Sequence, residues 1–401
     1  MKLNPLYKMT LLAVATGLSL PAQAAWLDLN LRNGMEMAIS GTVSPSFTKT
    51  RSVFQYKYGD NTIYPAGTSV EQILLNQNRR DADERMRLSG VGTSSIGFSL
   101  NQRLTKNWTA YAYSVLYGAH ASDWNYEEYW YPANFYANYG ITLTHDKHGA
   151  IGLSTGNLLK EYIGDTGTFD LSAAEGSAIN VSYTSIPDLK VKAYWAFPRA
   201  TDVRSAADTG IHGGYGVAVS YLHHFMSPRH NLGGEIAFAN TDRHDGINSA
   251  NQNTLAKDRQ SYTAALAYQH DKVKLTLEAG KSAEELGRAA TAKLDKVDAR
   301  SYGARVDYEF TPELSVYAAY GNVNYEKEGA TSFADLGSVS EYYVFKNVKA
   351  DVYKAGISYQ LFRNISLRGD LSHQVVKNYV DEGYFSRTEY STATIGTSFS
   401  F

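Results

Sequence analysis

The sequence predicts an all-β fold, a transmembrane antiparallel up-and-down β-barrel of sixteen strands. Three observations carry that expectation. Period-two patterning recurs along the chain, short and long connections alternate, and an export leader is followed by no apolar run of helical-span length.

The leader comes first. Lys2 and Lys8 form a basic head, residues 9–20 are apolar, and Ala22-Gln23-Ala24 supplies an Ala-x-Ala cleavage site. A membrane-spanning helix needs about 20 apolar residues, and this run has 12. Residues 1–24 are therefore expected to be a cleaved signal peptide. Residues 25–401 are expected to form one barrel domain, with no interdomain linker and no repeat beyond the hairpin rhythm.

Composition narrows the chemistry. There is no Cys, which removes disulfides and thiol or zinc-thiolate sites. Without the leader's two lysines, 36 basic residues face 40 acidic ones. That balance argues against a nucleic-acid partner, which would meet a strongly basic face. The 31 Tyr and 33 Gly fit strands that meet lipid on one side, water on the other and aromatics at the interfaces.

Sixteen strand candidates follow in order: 35–49, 84–100, 108–118, 139–145, 149–156, 178–185, 189–197 and 213–225, then 232–240, 259–270, 272–280, 299–310, 314–325, 348–360, 365–375 and 388–401. Seven connections are tight (101–107, 146–148, 186–188, 226–231, 271, 311–313 and 361–364), with turn residues such as Pro187, Asp188, Pro228, Pro312 and Asn364. Eight are longer: 50–83, 119–138, 157–177, 198–212, 241–258, 281–298, 326–347 and 376–387. Long and short alternate without a break, as in a barrel with turns on one membrane side and loops on the other. An even count returns both termini to the turn side, where the first strand can pair with the last and leave no edge.

Several strands show two faces. In 299–310, Tyr302, Ala304, Val306, Tyr308 and Phe310 oppose Ser301, Gly303, Arg305, Asp307 and Glu309. In 365–375, Ile365, Leu367, Gly369 and Leu371 oppose Ser366, Arg368, Asp370 and Ser372. The final strand sets Ala393, Ile395, Thr397, Phe399 and Phe401 against small polar residues. The apolar sets are light, which suits lipid better than a packed sandwich core, and the charged sets suit a wet lumen.

With this layout, two local stretches and Phe401, the sequence resembles the trimeric general porins of Gram-negative outer membranes. Arg85-Met86-Arg87-Leu88-Ser89-Gly90-Val91-Gly92 is similar to that family's second strand. His148-Gly149-Ala150-Ile151-Gly152-Leu153-Ser154-Thr155-Gly156 is similar to its fifth, which leads into a third loop folded inside the barrel. The resemblance implies a constriction with acidic Asp165, Asp170 and Glu175 on that loop. It implies a basic wall opposite, with Arg87 and Arg85 as the positional match and Arg305, Lys354 and Arg368 as further candidates. Two features depart from the family: Thr155 or Asn157 stands where an Arg is usual, and no Pro-Glu-Phe-Gly-Gly-like motif occurs in the loop.

The implied protein is an outer-membrane channel for passive diffusion of small hydrophilic solutes and ions, without cofactor or metal. Its implied partners are outer-membrane lipid, lipopolysaccharide, two further copies in a homotrimer, and the barrel-assembly machinery acting through Phe401. The second loop concentrates Trp124, Tyr126, Tyr129, Trp130 and Tyr131. These could latch a neighbouring subunit or stack sugars, so a substrate-specific channel for saccharides or another small solute, of sixteen or eighteen strands, is the alternative; an eighteen-strand version would use 52–58 as an extra strand. An enzyme on a barrel frame would need a Ser–His pair with an orienting acid. No Gly-x-Ser-x-Gly occurs, and His223, His224 and His230 flank a turn rather than forming a ligand pattern.

Overall fold

The computed structural model describes residues 29–31, 35–56, 80–89, 95–118, 135–157, 166–168, 175–197, 211–225, 229–243, 246–247, 253–288, 293–328, 347–380 and 383–400. Within them the chain begins with β1 (Leu29–Leu31), β2 (Met35–Val43), β3 (Ser46–Tyr56), β4 (Arg80–Ser89) and β5 (Ser95–Arg103). Next come β6 (Trp108–Gly118), β7 (Phe135–His145), β8 (Gly149–Asn157), β9 (Glu175–Tyr183) and β10 (Leu189–Ala196). They are followed by β11 (Ile211–His224), β12 (His230–Arg243), β13 (Gly246–Ile247), β14 (Asn253–His270) and β15 (Val273–Arg288). The last are β16 (Lys293–Thr311), β17 (Leu314–Glu328), β18 (Asn347–Phe362), β19 (Ile365–Val380) and β20 (Gly383–Ser400).

These segments make sixteen staves of one closed antiparallel sheet. β2 and β3 are a single stave interrupted at Ser44-Pro45, where proline has no N–H to give the ladder. β4 and β5 are its partners on the other side: Ser46 pairs with Ser89, and Thr42 with Ser95. β13 extends β12 along the edge of β14. Closure runs from Ser386–Tyr56 to Gly396–Ser46 and resumes at Thr42–Ser400. Where β20 ends, β1 takes over the same edge of β2, pairing Leu31 with Met35 and Leu29 with Met37. Between these two pairings, residues 38–41 of β2 pair only with β5 among the described residues.

All sixteen expected strands are present, and residues 52–56 of the possible extra strand 52–58 belong to the first stave, within Ser46–Tyr56, while 57 and 58 lie outside the described residues. The staves reach further toward the loops than their patterning suggested. β14 starts at Asn253 and β20 at Gly383, ahead of the expected 259 and 388. Beyond the membrane both faces are wet, so the alternation that marks a strand fades while the ladder continues.

The turns are held locally. Thr105 Oγ1 accepts from the amides of Asn107 and Trp108, and Thr311 Oγ1 accepts likewise from Glu313 and Leu314. Asp188 (φ 63°) and Asp271 (φ 50°) take the left-handed positions, which Asp tolerates better than most residues.

Burial confirms the two faces. Outward Ile395 is 71% exposed, Trp195 66%, Ile236 62% and Leu371 61%. Inward Thr276, Ser261 and Ser301, by contrast, are almost fully covered. Large apolar side chains turned outward all round a closed sheet would be untenable in water and are what lipid requires. The inner wall is not uniformly charged, however. Ala178, Tyr194, Ala196, Ala218 and Ala239 form one buried inward cluster, and Ala299, Val323 and Ala350 form another with Tyr325 and Val376 beside it.

Candidate functional site: a constriction inside the barrel

The central finding is where Thr166-Gly167-Thr168 lies. Thr166 is fully buried, and its amide and hydroxyl both donate to the Glu278 carboxylate of β15, at 3.3 and 3.0 Å. Its hydroxyl also meets that of Thr168 at 2.7 Å. Exposed Leu277 flanks Glu278 in sequence, so alternation turns Glu278 into the lumen. The Gly167 carbonyl accepts from Lys354 Nζ of β18, also inward. This part of the third long connection is therefore inside the barrel, spanning from β15 to β18.

The wall is shaped to receive it. Gly303 and Gly321 face each other in register on β16 and β17. A Cβ on Gly303 would sit 2.5 Å from Thr166 Oγ1, and one on Gly321 would sit 2.4 Å from Thr168 Cβ. Only hydrogen fits at both positions. Gly167 itself has φ 65°, the left-handed region open to glycine.

Beside this seat lies a chain of charge-assisted contacts across β16, β17 and β19. Arg305 holds Asp307 with Nε at 3.0 and 2.9 Å from the two carboxylate oxygens and Nη2 at 2.6 Å from one of them. Its guanidinium stacks 4.0 Å over the Tyr317 ring. Tyr317 Oη donates to Asp370 at 2.6 Å, and Arg368 pairs with the other Asp370 oxygen at 2.6 Å. The residues of each pair stand two apart on one strand and so share a face. Arg305 and Arg368 are thereby fixed in the lumen on rigid staves.

Of the residues that sequence reasoning proposed for the basic wall, Lys354 and Arg305 border the Gly167 segment, and Arg368 joins Arg305 through Asp370 and Tyr317. Arg85 and Arg87 lie on β4 in register with Thr50 and Thr48, across the seam. Glu175 opens β9 opposite Asn157. Asp165 and Asp170 lie outside the described residues, as do Trp124, Tyr126, Tyr129, Trp130, Tyr131, Phe401 and the leader. Thr166, Thr168, Glu278, Tyr317 and the two wall glycines were not foreseen. The Arg305-x-Asp307 and Arg368-x-Asp370 spacings were the available signal for the ion pairs.

The histidines serve other ends. His223 meets Asp188 at 3.1 Å and His230 meets Tyr268 at 3.1 Å, both near the turns. His148 meets Ser185 at 2.8 Å and His373 meets Ser391 at 3.0 Å. Among the described residues neither pair is completed by a carboxylate.

A closed sixteen-stave sheet, an apolar mantle and a segment held across the lumen define an outer-membrane β-barrel protein. The C-terminal part, residues 232–401, matches the OmpA-like transmembrane domain family. The fold is similar to that of the anion-selective porin from Comamonas acidovorans (14% identity, TM-score 0.54, 92% of this chain and 100% of that one). It is also similar to the outer membrane channel DcaP of Acinetobacter baumannii (12%, 0.56, 93% and 99%). The third is Salmonella typhi OmpF in complex with daunomycin (13%, 0.54, 94% and 100%). No curated protein matches the sequence.

Proposed function

We propose that this protein is a porin, a water-filled channel through which small hydrophilic solutes and ions diffuse passively. The observation that carries the reading is the Thr166–Thr168 segment seated against the inner wall beside Arg305, Lys354 and Arg368. A sixteen-stave barrel leaves an aqueous lumen. Fixed charge at its narrowest level orders water and polar solutes, while apolar solutes must be desolvated. With Asp165 and Asp170 on the loop facing the basic wall, a transverse field would cross the opening; Glu175, which opens β9 instead, is not needed for it. In this reading residues 1–24 are removed on export and Phe401 is read during barrel assembly. The aromatic second loop latches a neighbouring subunit of a homotrimer, and no catalytic step is assigned to any residue. Single-channel recording of the purified protein in planar bilayers tests it. Ohmic current steps, arriving in threes and unaffected by neutral sugars, are expected. Silence from a correctly folded barrel would overturn it, and block by one class of sugar would replace it with a saccharide-specific channel.

A further inference from the structure

On the turn side of the seated segment, the lumen wall of β14–β17 encloses a polar cavity of about 600 Å³. Gly167 closes it from above, where a Cβ would lie 3.7 Å from Arg305 Nη1. Lys274 and Glu309 project into it, because their neighbours Val273 and Leu275, Tyr308 and Phe310 are exposed on the outward face. Gln269 and Ser315 flank them on β14 and β17.

Six charged side chains line the cavity, three of each sign, and four are already engaged. Arg305 holds Asp307 through three contacts. Asp271 meets Arg229 at 3.9 Å, and Lys272 Nζ donates to the Phe310 carbonyl at 3.1 Å. The remaining two are Lys274 and Glu309. Lys274 has no ion pair or hydrogen bond among the described residues. Glu309 has only Arg229, 4.0 Å away, an exposed contact of the kind that contributes little. One cation and one carboxylate therefore stand ready for a solute, at two different heights. Lys274 pairs in register with Asp307, which places Glu309 diagonally from it, two residues nearer the turn. Diagonal neighbours of a ladder are about 7–8 Å apart.

That spacing selects the solute. An α-amino acid carries both charges on one carbon, too close together for groups held this far apart. Each residue of extended chain adds at most about 3.3–3.6 Å, so two residues span about 7 Å. The cavity falls within the ~300–1,000 Å³ usual for small-molecule sites and leaves room for two side chains. On the reading of this protein as a porin, we propose that the cavity is a subsite for dipeptides in transit. The peptide carboxylate meets Lys274 beside Arg305 Nη1, and the amino group meets Glu309. Two contacts from neighbouring staves hold the peptide weakly enough to release it, as conduction requires.

Equilibrium dialysis of the purified protein in detergent against radiolabelled L-alanyl-L-alanine reads the site. Saturable retention is expected. N-acetyl-alanyl-alanine lacks the ammonium, and alanyl-alanine amide lacks the carboxylate. Each of them, and alanine itself, should compete about tenfold more weakly or worse, the loss of one charge-assisted contact. Lys274→Gln and Glu309→Gln should each weaken retention to the same extent, with the heat-dependent shift in gel mobility showing that both barrels are folded. No retention at millimolar dipeptide, equal competition by the blocked forms, or unchanged retention in both folded variants would overturn the subsite. Single-channel current separates the two readings. Current without retention removes the subsite and leaves the pore, whereas retention without current removes the pore and leaves a binding site.

Discussion

Thr166 and Glu278 stand 112 residues apart, yet two hydrogen bonds from one residue converge on the other's carboxylate. The pair ties a loop to the opposite wall of its own barrel. Hydrogen bonds to a charged acceptor contribute about 1.5–3 kcal/mol each, enough to hold the segment in place most of the time. Glu278→Ala removes the acceptor. Its channel should show larger and noisier openings in single-channel records. Glu278→Gln keeps an acceptor oxygen and should lie between it and the unaltered protein. Identical records for all three proteins would mean that the segment does not limit the current.

The wall glycines give an independent test of the same seat. Gly303→Ala would place a methyl 2.5 Å from Thr166 Oγ1, so the segment must move. A Cβ on Gly234, by contrast, finds its nearest atoms at 3.8 and 3.9 Å. Gly303→Ala should therefore alter conductance while Gly234→Ala leaves it unchanged. Both barrels should stay folded, because each substitution preserves the ladder. The measurement is conductance alongside the heat-dependent shift in gel mobility.

Most of the barrel was legible because lipid on one side and water on the other impose a period of two. That signal fixed sixteen staves, their faces and the tight turns. It failed where its cause is absent. β1 pairs only three residues, too few to show a period. The break at Ser44-Pro45 keeps the polarity pattern and interrupts only the ladder. At the constriction, charge was visible and shape was not. Arg305, Lys354 and Arg368 stood out as cations on wet faces. Thr166 and Thr168 carry no charge, and their role comes from two glycines more than 130 positions away that leave room for them. Such close approach is a property of packing across the lumen, and no local pattern encodes it. Nothing local marks the inward alanine and valine clusters either, since small apolar residues occur on both faces of these strands.

The basic side of the constriction should set ionic preference. Arg305→Gln and Arg368→Gln each remove one positive charge and leave Asp307 or Asp370 without its guanidinium partner. Both changes make the lumen more negative. Reversal potentials in a KCl gradient should move toward cations for each variant, and further for the double variant. Screening lengths fall from about 10 Å at 0.1 M salt to about 3 Å at 1 M, so the shift should shrink as salt rises. A shift toward anions, or one insensitive to salt, would exclude these arginines from the conducting path.

The last prediction concerns the mantle. Ile395 is 71% exposed on the outward face of β20, between Gly369 of β19 and Phe47 of β3. Its sequence neighbour Thr394 faces inward, its hydroxyl 3.1 Å from that of Thr48. The two positions share a strand, a height and a backbone environment, and they differ in which solvent they meet. A lysine on the lipid face near the bilayer midplane destabilises a barrel by about 2–4 kcal/mol, whereas lumen substitutions chiefly tune selectivity. Ile395→Lys should therefore fold into lipid vesicles in clearly lower yield, or with a lower urea midpoint. Thr394→Lys can extend into water and loses only the contact to Thr48, about 1 kcal/mol. Because β20 also closes the barrel against β3, a defect at Ile395 should expose the seam and quicken proteolysis there. Equal folding of the two variants would mean that this face of β20 is covered by protein rather than lipid, which would place a subunit contact at the seam.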